Sequence, residues 1–509
     1  MEMRRFMYGW LLLSVCALSR QAHADDDALI KAAQANIPEF LQLLSIPNVA
    51  DNPGHIRDNA VFIETALKKR GFRTRLLQNP ANRPLVFAQL DAPVAGRRTV
   101  LFYIHFDGQP VIPERWSQPS PFSPVVKQRD ANGVWTPVPS ERLQATPFDP
   151  ELRIFARSAS DDKAPIMMLL TAIDLLNAED AAPEFNIKLI LDSEEEMGSP
   201  SLAGVVASNR SLFAADGLVI LDGPVHASGR PTLLFGNRGI VQATLVVYGP
   251  KVALHSGHYG NYVPNPAMRL AGLLASMKDD DGRVLVPGYY DGIDLTASDR
   301  ALLAASGDDD AALRKRLGIA RAERVGETYQ MSMQYPSLNV RGMASAAIGD
   351  KAANVVPSEA TAELDLRTTP EADGQTLFAL LKTHIERQGY HLTDGPPSDE
   401  ERAGHDKLAS FSMGKSEKAV RVPVDSSVGR WAYTATEAVA TTGDKPVRIR
   451  MVGGTVPTAT LVDALRLSFV IVSTVNADNN QHTHDENLRM GNIISGTRTI
   501  RSLLTTPYP

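Results

Sequence analysis

Two spacings of apolar residues alternate along most of the chain. Ala28 to Leu44 and Asn59 to Leu67 carry them at the interval of a helix face, whereas Arg73 to Leu77, Leu85 to Leu90 and Thr99 to Ile104 are short strand-like runs. A helix from Lys163 to Asn177, a strand at Ile187 to Leu191, a short helix from Pro200 and a strand at Leu218 to Leu221 extend the alternation. Helices interleaved with nearly unbroken apolar strands predict an α/β fold: a mixed, mostly parallel sheet covered by helices on both faces.

The texture changes after Gly236. Ile240 to Tyr248 alternates like a strand, Pro266 to Met277 like a helix, Thr361 to Leu366 like a strand and Gly374 to Gln388 like a helix. This predicts a smaller α+β domain of βαβ type, residues 238–404, inserted into the first. Thr393 to Gly404, rich in Asp, Glu, Pro and Gly, reads as an exposed connector. Strand and helix signals at Leu467 to Val472 and Glu486 to Leu504 return to the first domain, which is assigned residues 25–237 and 405–509. Val111 to Pro150, rich in Pro, Ser and aromatics, separates His105 from Asp161 and is expected to form either a wall or rim of the cleft or a surface loop.

A length of 509 residues agrees with two domains. Residues 1–24 stand apart: Arg4 and Arg5, an apolar stretch from Phe6 to Leu18, then Ala22-His23-Ala24 before three aspartates. That is the pattern of a secretory signal peptide, and the apolar run is shorter than the roughly 20 residues of a spanning helix. The expected location is therefore periplasmic or secreted, with no membrane association after cleavage. Cleavage removes three arginines and one glutamate and carries the formal net charge from −6 to −8, which disfavours nucleic acid as a partner. Cys16, the only cysteine, leaves with the leader, so disulfides, thiolate metal sites and thiol catalysis are excluded from the mature chain.

Polar clusters follow the carboxyl ends of the predicted strands, where an open α/β sheet places its chemistry. "TVLFYIHFDGQP" ends on His105 and Asp107, "IKLILDSEEEMGS" on Glu194, Glu195 and Glu196, and "GLVILDGP" on Asp222. "RSASDDKAP" sets Asp161 and Asp162 ahead of a helix, and "NNQHTHDEN" carries His482, His484, Asp485 and Glu486. Singly these are helix caps, solvated faces or hydrogen-bonded histidines. Gathered at one rim, the carboxylates would repel one another and need a cation. Oxygen and imidazole donors without thiolates suit zinc, with manganese or cobalt as alternatives.

The motifs, in order, resemble the zinc-dependent exopeptidases and amidohydrolases that include carnosinase-type dipeptidases, aminoacylase and glutamate carboxypeptidase. The resemblance rests on His105-Phe106-Asp107, "ARSASDDKA", Glu195-Glu196 before Gly198-Ser199, Asp222, His255-Ser256-Gly257 and His482 to Glu486. It implies a centre of two divalent ions, with His105 and Asp222 on one, Glu196 and His482 on the other, and Asp161 between them. Asp107 would fix the His105 ring. Glu195 would be the general base, and Glu194 would face solvent or brace the turn. His484 stands where the family has proline and is not expected to bind metal.

For the inserted domain, the resemblance implies a lid and a homodimer interface. His255 would reach across the dimer to the oxyanion. Asn354 and Arg367 would hold the polar end of a small peptide, Arg367 through its bidentate fork, and Thr455 in "GGTVP" would add hydrogen bonds. Ala156, Ser158 and Ala164 replace family glycines around Asp161, Asn261 replaces another after Tyr259-Gly260, and Val452 stands where many relatives have glutamate. Aspartate at position 222 and the "HSGHYGN" segment resemble the dipeptidase branch. An exported dipeptidase is the expectation, beside an acyl-amino-acid deacylase, a C-terminal carboxypeptidase and a non-catalytic peptide-binding protein.

Overall fold

The computed structural model describes residues 26–440, 444–456 and 458–509, so the predicted leader, residues 1–24, lies outside the described residues. Among the described residues no helix is long and apolar enough to cross a membrane. The chain divides into two compact units, the first made of residues up to 234 with 423–447 and 460–509, the second of 235–422 and 448–459.

The first unit is built on a mixed sheet ordered Arg73–Leu77, Leu85–Leu90, Asn186–Asp192, Thr99–His105, Gly217–Ile220, Phe469–Ser473, Thr232–Leu234. An eighth strand, Val447–Ile449, carries the chain out of the unit. The four central strands are parallel, and the flanking pairs are antiparallel. Val100, Leu101, Phe102, Tyr103 and Ile104 are all buried, so both faces of the middle strand are covered, which is why this stretch reads as an unbroken apolar run. Register aligns the strand ends: His105 stands opposite Asp192, and Tyr103 opposite Ile220. The segments after His105, Asp192 and Ile220 consequently leave the sheet at one edge.

The Val111 to Pro150 stretch is ordered as sheet. Val125–Arg129 pairs with Trp135–Pro137 and with Arg153–Phe155, which in turn pairs with Asn487–Arg489. It thereby braces the two chain segments that lead to Asp161 and away from His482.

The second unit has a sheet ordered Ser337–Ala344, Glu359–Thr368, Gly239–Tyr248, Leu408–Glu417, His391–Leu392. Gly239–Tyr248 runs antiparallel to both of its neighbours, so each crossover helix joins parallel strands separated by a third, the split βαβ arrangement. Leu270 and Leu273 of helix Pro266–Ala275, and Leu377, Leu381 and Ile385 of helix Gly374–Arg387, share one core with Val241, Ala243, Leu245 and Val247. The boundary expected at residue 404 moves to 422, because Leu408–Glu417 pairs along Gly239–Tyr248. Residues 448–459 join the second unit for the same kind of reason, Arg238 N donating to Val452 O at 3.0 Å. The expected connector contains a helix, Asp399–Gly404, closed by a Ser398/Glu401 capping box.

Candidate metal centre

The aligned strand ends bring His105, Asp161 and Asp222 into one group, and Asp161, Glu196 and His482 into another, each with its donor atoms within 4.8 Å of one another. Asp161 is common to both. Its Oδ1 lies 2.9 Å from His105 Nε2 and its Oδ2 3.0 Å from His482 Nε2, while Glu196 Oε2 lies 3.2 Å from His482 Nε2. Glu195 belongs to neither group, and His484 is exposed with its Nδ1 against Thr483 Oγ1.

The chain holds these side chains with buried carboxylates. Asp107 Oδ1 faces His105 Nδ1 at 3.2 Å and accepts Glu195 N, while its Oδ2 accepts Glu196 N. One aspartate thus orients the imidazole and fixes the turn carrying both glutamates. Glu194, expected to face solvent or brace the turn, is buried and braces it: Oε1 pairs with Arg83 Nε at 2.9 Å and Oε2 accepts Ser201 N.

Two contributors escaped the sequence reading. Glu486, which serves there only to mark the spacing to His482, is fully buried; Oε1 accepts Ser160 N and Asp161 N, and Oε2 accepts Ser158 N and Arg157 Nη1, all at 2.7–2.9 Å. It is the clamp of the Asp161 loop, in which the Asp161–Asp162 peptide is cis. Ser158, in place of a family glycine, has φ +59°, a left-handed conformation that explains the glycine, and its Oγ accepts Asn48 Nδ2. Gln109 donates to Glu196 Oε2 at 2.7 Å. Its one signal was its place four residues after His105.

Electrostatics suit the cluster to a cation. Burial, with repulsion from Asp161, pushes Glu196 up to about 8; burial, with the same neighbour, pushes Asp222 up to about 6. Burial also drives Glu195 well above the usual carboxylate range, the Asp222 and Glu196 charges adding to it against the opposing pull of His105. Burial would raise Asp161 too, but the His105 and His482 imidazoles against its two oxygens hold it below the ordinary range, and the contact with Asp161 lifts His482 to about 9. Asp161 Oδ2 is buried and, despite His482 nearby, accepts no well-directed hydrogen bond. Imidazole nitrogens and carboxylate oxygens sharing one aspartate fit two divalent cations.

The remaining predicted residues lie in the second unit, in two groups. His255 pairs in register with Val355, its exposed ring accepting Gly257 N, and Asn354 O accepts Ser256 N. Arg367 Nη1 donates to Thr455 Oγ1 at 3.1 Å, and Thr455 Oγ1 donates to Arg238 O. Arg238 is buried; burial and the Arg367 charge lower it to about 10.

The profile of peptidase family M20/M25/M40 matches residues 101–506. The Cys-Gly metallodipeptidase of Schizosaccharomyces pombe is 27% identical over 424 residues, 79% of this chain and 78% of that protein. The Beta-Ala-His dipeptidase of Mus musculus is 25% identical over 427 residues, 82% of this chain and 78% of that one. Among solved structures, an M20 family metallo-carboxypeptidase from Sulfolobus solfataricus superposes with a TM-score of 0.72 at 26% identity, covering 92% of this chain and 98% of that one.

Proposed function

This chain belongs to peptidase family M20/M25/M40, and on that premise we propose that it is an exported exopeptidase hydrolysing dipeptides or short peptides at a two-metal centre. The observation that carries the reading is the pair of donor groups sharing Asp161. His105 and Asp222 would hold one divalent ion and Glu196 and His482 the other, with Asp161 common to both donor groups. The donor set suits zinc, with manganese or cobalt as alternatives, and such ions would supply Lewis acidity and lower the pKa of water there.

Glu195 does the proton work. It stands outside both donor groups on the turn that Asp107 fixes, so its carboxylate is free to take a proton from the attacking water and return it to the leaving amine. Glu196, one residue on, is committed to metal and cannot. His255, supplied by the partner in a homodimer, stabilises the oxyanion. Arg367 binds the substrate carboxylate through its fork, with Thr455 orienting the guanidinium and Asn354 contacting the peptide.

The names of the two dipeptidase relatives favour dipeptides. The Sulfolobus structure favours a second reading, carboxypeptidase action on longer peptides. The leader pattern in residues 1–24 supports export to a periplasm or the medium. A panel of dipeptides, tripeptides, N-blocked peptides and N-acyl amino acids, assayed with zinc or manganese, tests the substrate class. Preferred cleavage of free dipeptides is expected; preference for N-blocked peptides selects the carboxypeptidase reading, and preference for N-acyl amino acids overturns both. Unchanged turnover by Glu195→Ala sinks the mechanism.

A further inference from the structure

A cavity of about 100 Å³ opens beside His482 in the first unit, lined among others by Ile112, Arg115, Trp116, Arg157 and His484. Pockets that hold a whole small ligand run to roughly 300–1,000 Å³, so this one has room for a single side chain. No carboxylate lines it. The charge of Arg157 is already matched by Glu486 at 2.7 Å, and its guanidinium lies over the Trp116 ring at 5.4 Å. Arg115 is different: among the described residues its side chain has no ion pair or hydrogen bond, so it contributes the uncompensated positive charge. The strand of chain that presents it is pinned. Ser117 N and Oγ both donate to Asp485 Oδ1 at 2.9 Å, and the buried Lys127 Nζ donates to Ser117 Oγ at 2.7 Å.

We propose that this pocket is a specificity site for an acidic side chain, and that Arg115 reads the substrate's carboxylate there. Its distinctive parts come from where the sequence departs from the family pattern: Arg115 and Trp116 from the Val111 to Pro150 insertion, and His484 from the position of the family proline. His482, one of the residues lining the pocket, is also the candidate metal ligand, so a side chain entering it lies next to the bond being cut. The inference rests on the proposed peptidase function, and specifies its substrate class as peptides containing Asp or Glu.

Isosteric pairs isolate the charge from the shape: Asp-Ala against Asn-Ala, and Ala-Asp against Ala-Asn. In the full-length metal-loaded enzyme, one pair shows an acid-over-amide ratio in kcat/KM of roughly 10- to 100-fold, the range for a hydrogen bond to a charged partner. Arg115→Met brings that ratio below threefold, Arg115→Lys retains part of it, and raising the salt lowers it because Arg115 is exposed. Calorimetric titration of the same four peptides gives the ratio as affinities, whether or not they are cleaved. An acid preference in binding without hydrolysis removes the dipeptidase reading and keeps the pocket. Equal handling of acid and amide by wild type, or an unchanged ratio in Arg115→Met, overturns the inference.

Discussion

Replacing Glu486 with glutamine keeps its shape and removes its charge. Each oxygen of the native carboxylate accepts two bonds, Oε1 from Ser160 N and Asp161 N, Oε2 from Ser158 N and Arg157 Nη1. A glutamine amide must turn its NH₂ toward one of these pairs, leaving two buried donors facing a donor. Each such group costs about 1–3 kcal/mol, and breaking one side of a buried ion pair about 3–5 kcal/mol. The terms describe the same contacts, so the expected loss is about 3–5 kcal/mol, not their sum. A domain with about 5–15 kcal/mol of stability remains folded at room temperature. The Asp161 loop, however, loses its clamp, and a shift of ~1 Å at the reacting centre costs on the order of 100-fold in rate. Urea unfolding measured beside kcat/KM checks both numbers. Combining Glu486→Gln with Arg157→Met gives the coupling between the partners, expected above about 1 kcal/mol. A stability change under about 0.5 kcal/mol with turnover near wild type refutes the assignment of Glu486 as the clamp.

Other consequences are as direct. Asp107→Asn leaves the His105 ring and the Glu195–Glu196 turn less well oriented, so metal affinity falls about 10- to 100-fold, read by competition with a chromogenic chelator. Ser158→Gly relieves a left-handed serine worth about 1 kcal/mol but loses the Asn48 bond of about 1 kcal/mol; unfolding midpoints within a degree or two of wild type are expected, and a large shift either way contradicts the balance. Asp299 is the third residue of helix Ala297–Ala304 and completes its capping box, its carboxylate accepting from Thr296 N while Thr296 Oγ1 accepts from Asp299 N. Burial would raise its pKa, but Thr296 and Arg450 together hold it below the ordinary carboxylate value. Its contribution is therefore complete above the unfolded value near pH 4, and fades as pH falls through the lower folded value; Asp299→Asn removes that part of the acid slope in pH-dependent unfolding.

The positions of the clustered side chains were legible where burial leaves a simple trace. Thr99–His105 is covered on both faces, so it reads as an apolar run whose end marks His105 and Asp107, and the same logic locates Glu195, Glu196 and Asp222. The role of Glu486 left no such trace, because its partners are mostly backbone N–H groups more than 300 residues away in the chain. Glu194 reads as one more member of an acidic run, and only the fold brings Arg83 to it. The edge strand Ser337–Ala344 went unread: Asn339, Val340 and Arg341 are all exposed, so its two-residue alternation is broken. The boundary near residue 404 was misplaced because a polar, turn-rich stretch looks like a linker even when the next strand, Leu408–Glu417, returns to the same sheet.

The central claim is that two metal ions share Asp161. Anomalous diffraction at the zinc edge, from crystals of zinc-loaded protein, tests it most directly. The account predicts two peaks flanking the Asp161 carboxylate roughly 3.5–4 Å apart, one bonded to His105 and Asp222, the other to Glu196 and His482, with Glu195 bonded to neither. A single peak, a peak liganded by His484 in place of His482, or Glu195 in the coordination shell would contradict it.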